Sequence, residues 1–511
     1  MSAAAEFRSL QDEIVRLFAA GQGQAALARL DAARRSNPSD PAPATVLGFC
    51  LSRMGRREEA RRALDQALTA RPDFAPAWHH RGVLQQDGGD VAAAARDFER
   101  AVALDPTYVE PLAELADHAA RRGDAGSARA FAARVAALDP TEPVSNLALV
   151  TVDLAARDFT AAERRSRTLL AGGRLTPLNR SIALGQYADA LDGQGRAGEA
   201  FDAYVASNEA LRALYAPQFR RPEEHSALGH ARRLSGFFAE AAPEAWNRPP
   251  APAVDAGPAC RHVFLVGFPR SGTTLLEQVL AGHPDVVALE EKGTLDDSVA
   301  AFFVDRAGLQ RLEAATEAEL AGFRDAYWRR VAAFGADPSG RVFIDKMPLN
   351  TVLLPLVRRL FPQARVLFAV RDPRDVVLSC FRRRFGMNPA MYEMLTLEGA
   401  ARYYDAVMRL GGQYRALLDL PLHEVRYERL VADFETEALK VTAFLDIEFT
   451  PAMADVSATA RRREIDTPSS TQVARGLYRD GVGQWRRYAD RLDPLEPLLA
   501  PWLEAFGYDR D

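Results

Sequence analysis

The sequence predicts two folds in one chain of 511 residues: an all-α helical-repeat solenoid, then an α/β domain built on a central parallel sheet. Three observations predict this. Pro38, Pro72, Pro106 and Pro140 step by 34 residues, and so do Gly21, Gly55, Gly89 and Gly123. From about residue 260, short apolar runs alternate with helix-period patterns, as strand–helix–strand units do. Between the halves lies NRPPAPAVDAGPA (247–259), a Pro/Ala stretch of stiff, extended character.

Composition narrows the function before any motif is read. With 48% hydrophobic and 26% charged residues the chain reads as globular. Its 64 basic and 69 acidic residues leave a net charge of −5, which offers no basic footprint for nucleic acid and no polybasic membrane patch. No run of about 18 apolar residues occurs. The N-terminus MSAAAEFRSLQDEIVRLFAAG has no signal-peptide pattern, so the expected location is cytoplasmic. Cys50, Cys260 and Cys380 are scattered and odd in number, which argues against a disulfide framework or a zinc site.

Within each 34-residue unit the glycine marks a tight turn between two amphipathic helices, and the proline ends the second. Five residues after each glycine stand Ala26, Ala60, Ala94 and Ala128, small enough for close helix approach. Trp78, Gly82, Phe98 and Ala101 fill the large and small positions of the cleanest unit, 75–108. This half resembles the tetratricopeptide-repeat family. AGGRLTPLNRS (171–181) loosens the period, and Gly195 and Ala200 anchor a last unit, giving six helix pairs. The concave face of such a solenoid serves a peptide or protein partner, or a packing surface such as a homodimer contact. The expected boundaries are 1–216 for the solenoid, 217–259 for a capping helix (EEHSALGHARRLSGFFAEAAP) plus linker, and 260–511 for the α/β domain.

In that domain HVFLVG, VFI, ARVLFAV and LHEVRY read as buried strands. The first runs into Gly267-Phe-Pro-Arg-Ser-Gly272-Thr-Thr, two glycines five apart opening a helix. That is the frame of a P-loop-like anion site, with backbone N–H groups and a helix N-terminus facing the ligand. Thr273 stands where a nucleoside triphosphatase carries lysine, and Arg270 supplies the cation instead. The loop is therefore suited to a short anion held without a metal.

The set Arg270–Thr274, His283-Pro-Asp, Glu290-Glu291, Asp345-Lys-Met-Pro, and Arg371 with Ser379 resembles a sulfotransferase using 3′-phosphoadenylyl sulfate (PAPS). The likeness is greatest to tyrosylprotein sulfotransferases and their bacterial relatives with tetratricopeptide repeats, over roughly 261–490. The resemblance implies that Arg270, Ser271, Gly272, Thr273 and Thr274 hold the 5′-phosphosulfate, while Arg371, Ser379 and Arg383 grip the 3′-phosphate. It further implies Glu291 as general base, Tyr427 and Ser469 as cofactor contacts, and adenosine 3′,5′-bisphosphate as product. Lysine occurs only at 292, 346 and 440, so Lys346 at a strand end suggests a compact charge that arginine cannot replace, able to donate to the oxygen bridging sulfate and phosphate. VVLSCFRRR reads as a helix with 379 and 383 on one face, and in an extended segment Glu290 would point away from Glu291.

Two departures bear on specificity. The residue before the family tryptophan is usually basic, and here Gln484 precedes Trp485, leaving Arg475, Arg479 or Arg486 to supply that contact. Gly293 stands where the animal enzymes carry an arginine that meets acidic peptide. A peptide tyrosine, a saccharide hydroxyl or a small metabolite would each satisfy Glu291. Two other readings stay open: a nucleotide kinase or triphosphatase on the same loop, and a repeat scaffold with a degenerate transferase half.

Overall fold

The computed structural model describes residues 3–247, 257–462 and 481–509. The chain divides into two compact units, Met1–Ala210 and Leu211–Asp511.

The first unit is built from helix pairs, beginning Ala3–Ala19 with Gly23–Ser36 and Pro41–Arg53 with Arg57–Ala70, and closing with the pair that starts at Pro177–Gly193. Each turn within a pair needs one left-handed residue. Gly21, Gly55, Gly89, Gly123 and Gly195 supply it with φ between 73° and 83°. The fifth turn, 34 residues after Gly123, uses Arg157 at φ 59°, which costs about 1 kcal/mol relative to glycine. Ala26, Ala60, Ala94, Ala128, Ala162 and Ala200 are all fully buried. Asp90, Asp124 and Asp158 add a third 34-residue series: each carboxylate accepts from a first-turn amide of the following helix, at 2.9 to 3.0 Å.

Gly82 shows why the small positions are small. A Cβ there would lie 2.6 Å from the Phe98 ring, and one on Gly48 would lie 2.5 Å from Leu64, one repeat earlier. The glycine and the large residue facing it are thus one packing device used twice. Phe98→Ala should destabilise the first unit by about 3–5 kcal/mol, read as a lowered denaturation midpoint; an unchanged midpoint would contradict this packing.

The second unit carries five parallel strands: β1 (Arg261–Gly267), β2 (Val286–Glu290), β3 (Val342–Lys346), β4 (Arg365–Val370) and β5 (Leu422–Arg426), in the order β2-β3-β1-β4-β5. Central β1 is buried from His262 to Gly267, as a parallel strand covered on both faces must be. β2 is the strand the sequence patterns above do not mark; of its five residues only Val286 and Leu289 are buried. The Ala227–Ala239 helix packs in this unit against Leu397–Leu417, through Phe238 on Tyr414 (4.9 Å) and Ser235 to Gln413 (2.8 Å).

Strand order fixes where a ligand can sit. From β1 the chain crosses toward β2 and β3, whereas from β4 it crosses toward β5, so the carboxyl ends of adjacent β1 and β4 diverge into a crevice.

Candidate active site

The loop after β1 fills one side of that crevice. Gly267 (φ 151°) lies so close to β4 that a Cβ would meet the Ala369 carbonyl oxygen at 2.6 Å. Gly272 (φ 95°) starts the Thr273–Ala281 helix against Tyr427, whose ring would be 2.7 Å from a Cβ. Thr351 Oγ1 accepts from the Gly267 amide at 3.0 Å. Arg270 takes a left-handed backbone (φ 72°) and its Nε donates to Ser379 Oγ at 2.9 Å. The loop therefore presents a guanidinium and a helix N-terminus to one space.

The loop after β4 forms the other side. Arg371 is buried; its guanidinium donates to the Arg270 carbonyl (3.0 Å) and to that of Gly481, lies 4.9 Å over the Tyr427 ring, and stands 3.9 Å from Asp375. Asp375 accepts from the amides of Gly483 (2.7 Å) and Trp485 (2.9 Å), while Arg374 stacks 3.6 Å over the Trp485 ring. The 481–485 segment is thereby tied to the Pro373–Arg382 helix.

At its carboxyl end β3, which lies between β2 and β1, finishes in Lys346, fully buried. Its ammonium donates to Glu291 (2.8 Å) and Glu290 (3.1 Å) and stands 3.5 Å from Glu277, itself fully buried. Burial works to lower the lysine pKa, but three carboxylates outweigh it and hold the pKa above its ordinary value. Glu291 has φ 47°, a left-handed conformation worth roughly 1–3 kcal/mol of strain. That turn overturns the expected alternation: Glu290 and Glu291 converge on one ammonium instead of pointing apart.

Arg270, Gly272, Thr273, Thr274, Glu291, Arg371, Ser379, Arg383 and Tyr427 line one cavity of about 270 Å³. Ser271 and Lys346 stand behind its wall, both buried. Arg383 lies just past the end of the Pro373–Arg382 helix with extended backbone (φ −99°, ψ 139°), which corrects the single-face reading of 379 and 383. Ser469, Arg475 and Arg479 lie outside the described residues. Lys292 is exposed, and His283 accepts from the Asp285 amide within a turn. Among the described residues no group of three or more His, Cys, Asp or Glu is arranged to hold a metal ion, and no described helix is long and apolar enough to cross a membrane.

Residues 262–451 match the model of the sulfotransferase family, and residues 17–80 and 75–108 match tetratricopeptide-repeat models. The C-terminal half carries a sulfotransferase domain, and the N-terminal region carries tetratricopeptide repeats. An uncharacterized protein of Aquifex aeolicus is 24% identical over 409 residues, covering 77% of this chain and 50% of its own length. A putative protein-tyrosine sulfotransferase of Caenorhabditis briggsae is 24% identical over 256 residues, 48% of this chain and 89% of its own. The sulfotransferase domain of the Synechococcus PCC 7002 olefin synthase is 25% identical, covering 50% of this chain and 96% of that one, with a TM-score of 0.36. The match thus spans half the length of the Aquifex relative.

The sulfotransferase domain also contains a polar chain that sequence reasoning missed. Asp345, fully buried beside Lys346, accepts from Thr294 Oγ1 (2.7 Å) and Tyr327 Oη (2.8 Å), and Tyr327 accepts in turn from His262 Nε2 (2.7 Å). Together with the Glu291 amide donating to the Lys346 carbonyl (2.8 Å), this pins the 291–294 loop at both ends. Burial pushes Asp345 up to about 6, against the pull of its two hydrogen bonds. A carboxyl whose folded pKa is raised costs stability once ionised; the cost is absent near pH 3.8 and fully present above about 6. The gap is worth about 3 kcal/mol. Asp345→Asn should therefore flatten a loss of stability that the unaltered protein shows as pH rises through that window, read from denaturation midpoints; parallel pH curves would contradict the account.

Proposed function

We propose that the sulfotransferase domain transfers a sulfuryl group from PAPS to an acceptor hydroxyl, that of a peptide tyrosine. The reading is supported above all by one cavity at the β1/β4 divergence into which the anion loop, Arg371 and the Glu291 carboxylate all open. When bound, PAPS supplies the sulfuryl group; the chain's residues hold it and handle the acceptor's proton. Arg270, Ser271, Gly272, Thr273 and Thr274 face the 5′-phosphosulfate, with Ser271 acting through the loop backbone. Arg371, Ser379 and Arg383 grip the 3′-phosphate, and Tyr427 and Ser469 contact the nucleotide.

Glu291 takes the acceptor's proton as the acceptor oxygen bonds to sulfur. The sulfur–oxygen bond to the phosphate breaks, and adenosine 3′,5′-bisphosphate leaves with the electron pair. Lys346 and Arg270 offset negative charge on the moving group. No metal ion enters this reading. The domain occupies 260–511, after a 1–216 solenoid and a 217–259 capping helix and linker whose Ala227–Ala239 helix packs on that domain, and the protein works in the cytoplasm. Repeats suit delivery of a protein or peptide acceptor, and the likeness to the putative protein-tyrosine sulfotransferase of Caenorhabditis briggsae favours tyrosine.

Calorimetry with adenosine 3′,5′-bisphosphate, in parallel with ATP plus magnesium, tests the donor. Metal-independent binding of the bisphosphate, weakened in Arg371→Ala, is expected; preference for magnesium ATP would install a triphosphatase in its place, and binding of neither would leave a scaffold. Glu291→Gln should cut sulfuryl transfer to tyrosine peptides by at least about 100-fold while sparing bisphosphate affinity. Normal turnover in that variant would remove Glu291 as base.

A further inference from the structure

Glu291 stands one residue beyond the end of β2 in a left-handed conformation (φ 47°), which a non-glycine residue keeps only where its surroundings over-determine it. Those surroundings reach it from both faces of the sheet. Asp345 and Lys346 are consecutive in β3, so their side chains leave opposite faces. From one face the Lys346 ammonium donates to the Glu291 carboxylate (2.8 Å), and the Glu291 amide extends the β2–β3 ladder by donating to the Lys346 carbonyl (2.8 Å). From the other, Asp345 Oδ2 accepts from Thr294 Oγ1 (2.7 Å), while the Thr294 amide donates to the Lys292 carbonyl (2.9 Å) and tightens the turn between them.

Behind Asp345 stands the Glu317–Ala333 helix. Tyr327, fully buried, donates to the same Oδ2 at 2.8 Å and accepts from His262 of β1. Asp345 Oδ1 has no hydrogen-bond partner among the described residues, so both donors meet on one oxygen, and Tyr327 fixes where Thr294 finds it. Arg330, three residues on and so on the same helix face, donates to the Gly293 carbonyl (3.4 Å) and holds Asp297 through two bonds of 2.7 and 2.8 Å. One helix therefore braces the chain just after Glu291, from inside through Tyr327 and from outside through Arg330.

We propose that Thr294 and Tyr327 are positioning residues for the general base: through Asp345 they lock the turn that aims the Glu291 carboxylate at the acceptor hydroxyl. Neither lines the cavity into which Glu291 opens, so both act through it and not on the substrate. This rests on the base assignment given above, and adds that the Lys346 ion pair alone does not aim the carboxylate. A base displaced by about an ångström loses rate and spares binding, because donor and acceptor are held by other parts of the cavity.

Steady-state transfer from PAPS to a tyrosine peptide by the full chain separates the outcomes. Thr294→Val, which exchanges the hydroxyl for a methyl, should lower kcat by about ten- to a hundred-fold, and leave the peptide KM and the calorimetric affinity for adenosine 3′,5′-bisphosphate within about twofold. Thr294→Ser, which keeps the hydroxyl, should recover most of that rate, and Tyr327→Phe should show a smaller loss of the same kind. In a Glu291→Gln background Thr294→Val should change kcat by less than about twofold, since the group it aims is already gone. Unchanged kcat in Thr294→Val, a loss carried by KM, or the full loss repeated in the Glu291→Gln background overturns the proposal. Normal turnover of Glu291→Gln overturns the base assignment, and absence of transfer by the unaltered protein overturns the sulfuryl-transfer reading; either takes this proposal with it. A thermal midpoint for each variant separates misfolding from lost aim, and Tyr327→Phe carries the test if Thr294→Val unfolds.

Discussion

One ammonium group organises the catalytic side of the second unit. Lys346 sits at zero exposure among Glu277, Glu290 and Glu291, which come from the first helix after the anion loop, the end of β2 and the residue just beyond it. Three carboxylates gathered around one point, with Glu277 fully buried and Glu291 open to the cavity, repel one another, and the ammonium they share offsets that repulsion. Because each carboxylate belongs to a different element, the charge cluster is also a geometric one: the helix, β2 and β3 share a fixed point. Removing the ammonium would take away the cation that Glu277, Glu290 and Glu291 share.

The strained backbone of Glu291 follows from the same point. An extended chain would send the second glutamate away from Lys346, so the left-handed turn at φ 47° is what brings it back. The turn is supported on one side by the Glu291 amide on the Lys346 carbonyl and on the other by Thr294 on Asp345. Across the crevice the same economy recurs: Arg371 ties the loop after β1 to the 481–485 segment, and Asp375 ties that segment to its own helix. The cavity is bounded by residues that also hold one another.

Much of this was legible in the sequence because the signals were periodic or carried by special residue types. The 34-residue steps marked the helix pairs, and the Gly267–Thr274 break marked the anion loop, since only left-handed positions and close backbone approach demand those glycines. What was hidden depended on contacts between distant segments. β2 is five residues long and only partly buried, too short to announce itself. Glu277 could have been noticed as one charge inside the apolar run TTLLEQVLA, but its partner lies on another strand. Asp345 stood in plain sight next to Lys346, yet its partners Thr294 and Tyr327 come from a loop and a helix that no local pattern connects. The convergence of Glu290 and Glu291 was misread because alternation along a strand fails where φ turns positive.

The central claim is that the cavity holds a 3′-phosphorylated adenosine nucleotide with its reacting end toward Glu291. A crystal structure with adenosine 3′,5′-bisphosphate tests it most directly. The account predicts the 5′-phosphate against the amides of the Gly267–Thr274 loop and the 3′-phosphate between Arg371, Ser379 and the end of the Pro373–Arg382 helix. Density for the nucleotide reversed in that cavity, or seated elsewhere on the domain, would contradict it.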